Sequence, residues 1–205
     1  MLHRKTVSAE LLGLLESLMA IPAFSKLRLV GGTALALQLG HRSSIDIDLF
    51  GEHHLDDHQL SAQLSEFAEV VAIGGSSSIK AFFINDIKVD IVNYPYPWIA
   101  SQVEEDGIRM ASILDIAAMK IAAIEQRGSK KDFIDLYFLL QQFSLSEILQ
   151  FYQQKITDGN EWIALRSLAY FEDAEREPMP TMFSDASWLL IKNHIANEVR
   201  KYSRQ

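Results

Sequence analysis

The sequence contains no cysteine. A disulfide framework and any thiolate metal site are therefore excluded, and the composition is compatible with a reducing compartment. Positive charge is also scarce: 19 Lys and Arg stand against 27 Asp and Glu, for a net charge of −8. A surface of that sign repels a phosphate backbone, which argues against a general nucleic-acid binder. It leaves room for a nucleotide or an RNA end in a local basic or metal-filled pocket. No stretch approaches the roughly 18–20 uncharged apolar residues that a membrane-spanning helix requires, so no membrane partner is expected. The opening residues, MLHRKTVSAELLGLLESLM, have neither an uninterrupted apolar run nor a small-residue cleavage site, and no signal peptide is read there. Internal repeats and low-complexity tracts are missing too. These absences predict a soluble, cytoplasmic protein.

What is present is ample apolar material. Of 205 residues 48 % are hydrophobic and 22 % charged, enough to bury a core in one domain or a domain with a modest appendage. Leu11, Leu12, Leu15 and Leu18 recur at helical spacing in SAELLGLLESLMA. KLRLVGG reads as a short strand ending at a glycine turn, and TALALQLGH as a helix that stops near Gly40. SIDIDLF alternates and is β-branched, hence a strand. Residues 56–69 read as a helix with Leu60, Leu64, Phe67 and Ala68 on one face. EVVAIGGSSSIKAFFI reads as two strands joined by a glycine–serine turn, and NDIKVDIVNYP as a third, ended by Pro95 and Pro97. From Ser112 onward the pattern is mostly helical. The expected division is an α/β core over residues 1–97 and a helical region over 98–205.

The strand SIDIDLF raises a question of charge. Side chains alternate faces with a rise of about 3.3 Å per residue, so Ile45, Ile47 and Leu49 share one face and Asp46 and Asp48 the other. Their Cβ atoms would be roughly 6.5–7 Å apart, wide for direct contact and suited to carboxylates converging on divalent ions about 3.5–4 Å apart. Without cations one carboxylate of such a pair would be driven to take a proton. The alternative is the solvent-facing side of an edge strand. Just upstream, Val30-Gly31-Gly32-Thr33 combines a strand end, a tight turn and a helix start, where glycine permits close approach and free N–H groups face phosphate. Thr33 either adds a hydroxyl contact or caps the helix. In KVDIVNYP, Val89 and Ile91 face one way and Lys88, Asp90 and Val92 the other. Asp90 is then an acid in a hydrophobic strand, tolerable as a metal ligand or in a salt bridge near Lys88.

These motifs resemble the nucleotidyltransferase superfamily with the DNA polymerase β-like fold. More narrowly, GGTALALQLGHRSSIDIDLF is similar to the AbiEii/AbiGii toxin family, in which Gly-Gly-Thr-Ala-Leu runs through Gly-His-Arg to Asp-x-Asp-Leu-Phe. The likeness continues through KVDIVNYP and LDIAAMKIAAIEQRGSKKDFIDLYFLL, covering about residues 28–140. It implies an α/β (α+β) fold, a nucleotidyltransferase-type mixed β-sheet with flanking helices followed by a C-terminal helical region. It implies further that Gly31, Gly32 and Thr33 hold a triphosphate and that Asp46, Asp48 and Asp90 are catalytic and hold two Mg2+ (or Mn2+) ions. The implied activity moves a nucleoside monophosphate from an NTP to an acceptor hydroxyl on an RNA such as tRNA, or on a protein. The implied setting is the toxin of a toxin–antitoxin or phage-abortive system with a cognate antitoxin. A non-catalytic nucleotide- or partner-binding protein on the same fold is the alternative.

Other residues carry two readings each. Lys120 falls on an otherwise apolar stripe with Ile113, Ile116, Ala117, Ile124 and Arg127, and either snorkels outward or reaches an anionic ligand. The resemblance favours phosphate. Ser112 with Asp115 has capping-box spacing, which makes Asp115 structural. Ser129 with Asp132 has it too, while the resemblance makes Asp132 functional; Lys131 replaces the arginine common there, which weakens any bidentate contact. Asp135, one turn on, is placed to brace Lys120 or Arg127. Arg42 matches the family motif as a nucleotide contact, and His41 as a residue that holds the turn. EHHLDDH over 52–58 is rich in metal-ligand types but reads as a loop and helix start capped by Asp56 or Asp57, and GGSSS over 74–78 as a hairpin turn.

Overall fold

The computed structural model describes residues 1–53, 55–67, 69–76 and 78–204, with the side chain of Asp57 left aside. The chain forms two compact units. The first comprises Met1–Gly40, Ser44–Pro95 and Gln102–Ala111, the second His41–Ser43, Tyr96–Ser101 and Ser112–Gln205.

The first unit begins with helix α1 (Ala9–Ala20), whose N-cap Ser8 accepts from the Leu11 N–H at 3.1 Å. It buries Leu11, Leu14, Leu15 and Leu18, the i, i+3, i+4, i+7 stripe of an amphipathic helix. Strand β1 (Arg28–Leu29) runs straight into helix α2 (Gly31–Leu39), which stops at Gly40. Gly40 has φ 72°, and a Cβ there would lie 2.5 Å from the His3 ring, so the helix end needs glycine twice over. Strand β2 (Ile47–Gly51) and helix α3 (Asp57–Leu64) follow, and Asp56 with Gln59 closes a reciprocal capping box on α3. His54, Ala68 and Ser77, parts of the loop, helix face and turn read from the sequence, lie outside the described residues.

Strands β3 (Val70–Gly75), β4 (Ile79–Ile84), β5 (Ile87–Asn93), β6 (Val103–Glu105) and β7 (Ile108–Met110) complete a mixed sheet in the order β3-β4-β5-β2-β1-β7-β6. β2 lies parallel to β5 and antiparallel to β1. Leu29, Ile47, Leu49, Phe82, Ile84, Val89 and Ile91 bury one face of it. Arg109 donates from β7 to the carbonyls of Met19 and Phe24, at 3.0 and 3.1 Å, fastening the end of α1 to the sheet.

The hairpin β6–β7 corrects the expected boundary at residue 97. It belongs with the sheet, and residues 41–43 belong with the helices. Its turn, Asp106-Gly107, has φ values of 54° and 77°, and Asn85-Asp86 between β4 and β5 has 49° and 63°. Positive φ at both central positions is the type I′ geometry that matches strand twist.

The second unit is helical: α4 (Ile113–Gln126), α5 (Lys130–Leu139), α6 (Leu145–Lys155), α7 (Glu161–Leu168), the single turn α8 (Glu172–Glu175) and α9 (Trp188–Tyr202). Ser112, Ser144, Asn160 and Ser187 each cap a helix with a side-chain oxygen. α4 and α6 are joined by a fully buried ion pair, Lys155 Nζ to Asp115 Oδ1 at 2.8 Å. The same carboxylate accepts from the Ile99 N–H and the Ser112 hydroxyl, at 2.8 and 2.6 Å. The ammonium donates to the Pro97 carbonyl at 2.8 Å and lies 4.3 Å from the Trp98 ring centroid. Asp115 is thus a structural residue that binds residues 96–101 to α4 and α6.

Removing one partner of such a pair strands a buried charge, which costs about 3–5 kcal/mol. Lys155→Ala is expected to lower the free energy of unfolding by that amount in urea denaturation, and Lys155→Met combined with Asp115→Asn to recover part of it. A loss below about 1 kcal/mol in Lys155→Ala would place the pair among weak surface bridges.

Candidate active site

The acid-bearing strands are held in register by their apolar alternates. Ile47 and Leu49 of β2 and Val89 and Ile91 of β5 are fully buried, which turns the residues between them to the opposite face. In the parallel pairing Asp48 stands directly beside Asp90. β5 also pairs with β4, so that Ala81 stands opposite Asp90 and Phe83 opposite Lys88. The Lys88 ammonium bonds Asp90 Oδ2 at 2.5 Å and feels the charge of Asp48 and Asp46 as well. Burial lowers the Lys88 pKa, but these carboxylates outweigh it and hold it above the ordinary lysine value.

Asp46 precedes the first residue of β2, and Ile45 is 65 % exposed, so the alternation read from SIDIDLF begins only at Ile47. Asp46 is positioned by its backbone instead. The Thr33 hydroxyl donates to the Asp46 carbonyl and contacts the Ser44 hydroxyl at 2.8 Å. Both expected roles of Thr33 are corrected here. The cap position is Val30, and the Thr33 side chain is buried in the link between α2 and the approach to β2.

Gly31 opens α2 with φ 67°, and a Cβ on it would lie 2.6 Å from Asp48 Oδ2. Any side chain would displace the carboxylate. The first turn, Gly31-Gly32-Thr33, has amides with no intrahelical acceptor, and these are the donors an α-helix offers to an anion. Phosphate donors and metal-type acceptors therefore meet at Gly31 and Asp48.

Whether these side chains suit a divalent ion can be judged from donor chemistry. Asp46, Asp48 and Asp90 are hard oxygen donors of the kind Mg2+ takes. Asp90 Oδ1 is buried without a hydrogen-bond partner among the described residues, an acceptor in want of a cation. Among the described residues no three His, Asp or Glu side chains converge closely enough to hold an ion as they stand. The donor chemistry fits a divalent ion, while the side chains as they stand are not gathered around one and Lys88 supplies the positive charge beside Asp90.

Residues of the second unit form a separate cluster, built on Asp135. The Arg42 guanidinium grips this carboxylate with two bonds, 2.7 and 2.8 Å; His41 Nε2 lies 2.7 Å away and the Lys120 ammonium 2.6 Å away. Lys120 also bonds Asp132 at 2.9 Å, and Arg127 and the Ser129 hydroxyl bond Asp132 at 2.8 Å each. Burial raises both carboxyl pKa values, yet Arg42 and Lys120 hold Asp135, and Lys120 and Arg127 hold Asp132, below the usual carboxylate range. Three expectations change. Lys120, 5 % exposed, spends its charge on two carboxylates rather than presenting it to phosphate. Arg42 is a buried partner of Asp135 rather than a nucleotide contact. Asp132 is an acceptor for Lys120, Arg127 and Ser129, and Ser129 makes no side-chain cap bond. Asp135 braces Lys120, one of the two partners expected for it, while Arg127 goes to Asp132.

The mixed seven-stranded sheet with flanking helices is the nucleotidyltransferase-like α/β fold. It is shared with MenT4, a nucleotidyltransferase toxin from Mycobacterium tuberculosis H37Rv, at TM-score 0.61 and 14 % identity over 94 % of this chain and 81 % of that one. JHP933 from Helicobacter pylori matches at TM-score 0.51 and 18 % identity over 97 % of each chain. In sequence the chain is 33 % identical over 194 residues to an uncharacterized protein of Aquifex aeolicus (strain VF5), covering 92 % of this chain and 93 % of the relative. The family model described as nucleotidyl transferase AbiEii toxin, Type IV TA system, matches residues 13–203, and the chain belongs to that family.

The Asp135 cluster has a consequence for acid stability. Its carboxyl pKa is depressed on folding, so its contribution is complete above the unfolded value of about 3.9 and is lost as pH falls toward the folded one. Urea midpoints are expected to hold from pH 7 to 5 and to fall below pH 4. Asp135→Asn is expected to be less stable at pH 7 by about 3–5 kcal/mol and to show a shallower acid slope. An acid slope identical to that of the unaltered protein would dissociate this cluster from acid unfolding.

Proposed function

We propose that this nucleotidyltransferase-family protein uses an NTP and divalent metal to transfer a nucleoside monophosphate to an acceptor hydroxyl, and that it acts as a toxin. The observation that carries the reading is the meeting of Gly31 with Asp48 and of Asp48 with Asp90. A helix start stripped of side chain, two acids in strand register and a third just ahead of β2 are what a triphosphate with its counter-ions requires.

In this reading the amides of Gly31 and Gly32 bind the phosphates, and Asp46, Asp48 and Asp90 hold the metal, Mg2+ or Mn2+. Bound metal supplies charge neutralisation at the phosphates and makes a nearby hydroxyl more acidic. Thr33 fixes the position of Asp46 through its carbonyl. Asp90, with one oxygen engaged by Lys88 and the other without a partner among the described residues, accepts the proton or cation on the acceptor side. Lys88 balances the carboxylates electrostatically. The acceptor is an RNA such as tRNA, or a protein, and a cognate antitoxin is the expected protein partner. Membership of a toxin family from a toxin–antitoxin system supports the antitoxin.

The test is incubation of the protein with each labelled NTP, magnesium and total cellular RNA. Asp48→Asn is expected to abolish transfer while leaving the thermal midpoint unchanged, since the substitution relieves repulsion between neighbouring carboxylates. Asp90→Asn is expected to bind magnesium–NTP within about tenfold, or about 1.4 kcal/mol, and yet to transfer nothing. Full transfer by Asp48→Asn, or equal NTP affinity in EDTA, would overturn the reading.

A further inference from the structure

The carboxylate face of the sheet carries a second feature. Strand register puts Ile79, Ala81 and Phe83 of β4 on the same face as Lys88 and Asp90, and the pairing of Val71 with Phe83 extends that face to β3. Three large apolar side chains there are open to solvent: Phe83 at 43 %, Val71 at 53 % and Ile79 at 45 %. On the opposite face their neighbours Phe82 and Ile84 are buried. Val71 and Phe83 thus form an exposed apolar patch beside Lys88, with Ile79 farther along β4 beyond Ala81, of the kind that marks a binding surface.

The patch's place in the sheet tells which substrate it faces. The strands run β3-β4-β5-β2-β1, and the glycine turn leaves the end of β1. At about 4.8 Å between strands, Phe83 stands one strand beyond Asp90, two beyond Asp48 and roughly 14 Å from the strand that leads into the turn. The carboxylates separate the patch from the helix start. A triphosphate held at Gly31 leaves the patch on the side from which the acceptor hydroxyl approaches.

We propose that Phe83, with Val71 beside it on β3, is the platform on which a nucleobase at the end of an RNA acceptor stacks, a proposal that rests on the transferase reading above. The exposed phenyl ring and a base each offer a flat π-surface to the other. Lys88, directly opposite Phe83 and half open to solvent, is bonded to Asp90, and it tempers the negative charge that an adjoining phosphodiester would meet there. An acidic protein that repels RNA at large has reason to take it by one stacked base. Phe83 is a positioning residue in this scheme. It sets where the acceptor's sugar lies relative to Asp90 and touches no reacting atom.

The experiment measures two affinities in the full-length protein: a fluorescein-labelled single-stranded oligoribonucleotide by anisotropy, and magnesium–NTP by calorimetry. Base–aromatic stacking is worth about 1–3 kcal/mol, or about 5- to 150-fold. Phe83→Ala is expected to weaken the oligoribonucleotide by a factor in that range, leave magnesium–NTP affinity and the thermal midpoint unchanged, and raise the KM for RNA more than it lowers kcat. Phe83→Trp is expected to restore binding, with its indole fluorescence quenched by the oligoribonucleotide. Unaltered oligoribonucleotide binding in Phe83→Ala would overturn the proposal, and so would a loss confined to NTP. Labelling of a protein rather than RNA that depends on Phe83 would also overturn it. Phe83-dependent RNA binding in a protein that binds no magnesium–NTP would leave the platform standing and remove the transferase reading instead.

Discussion

Two carboxylates side by side on paired strands repel each other, and the first unit is arranged around that constraint. Asp48 and Asp90 are fixed in register by buried Ile47, Leu49, Val89 and Ile91, so neither strand can slide to relieve the repulsion without turning apolar side chains to water. The repulsion must be met by positive charge. Lys88 supplies one ammonium, and the amides of the first turn of α2 supply partial charges from the other side, brought close because Gly31 has no Cβ. Strand register makes the electrostatic demand, and the glycine turn and the lysine are two answers to it.

The second unit solves a similar problem by closure. Asp115, Asp132 and Asp135 are buried, and each has its countercharge inside the unit: Lys155, Lys120 with Arg127, and Arg42 with Lys120. A fully bonded buried pair resists rearrangement because separating its members exposes an uncompensated charge to low dielectric. The contrast with the first unit is instructive. There, one oxygen of Asp90 has no partner among the described residues, while every carboxylate of the second cluster is bonded.

Much of this was legible from local pattern. The glycine turn, the strand bearing Asp48 and the strand bearing Asp90 are each readable within a few residues, because strand alternation and helix starts are short-range properties. Asp56 and Ser112 announced their caps in the same way. The pattern misled where geometry is made by distant chain. Ile45 looked like the first buried residue of β2, but the strand begins two residues later. Thr33 looked like a cap or a phosphate contact because its partner, the Asp46 carbonyl, leaves no mark in sequence. Asp106-Gly107 carried a legible hairpin signal between two short strands, overshadowed by the helical run after it. Sequence alone points Arg42 toward a ligand because nothing local pairs it with a carboxylate 93 residues away.

The separation between Arg42 and Asp135 bears on how the chain is made. Residues 41–43 emerge from the ribosome between α2 and β2, yet they belong to the helical unit. At about 5–20 residues per second, the guanidinium waits several seconds for the carboxylate that will enclose it. During that interval the segment between two early elements must remain hydrated and unpacked. Arg42 gains its carboxylate only when α5 arrives, so a nascent chain halted before it holds the glycine turn and all three sheet-side acids but leaves residues 41–43 without that partner.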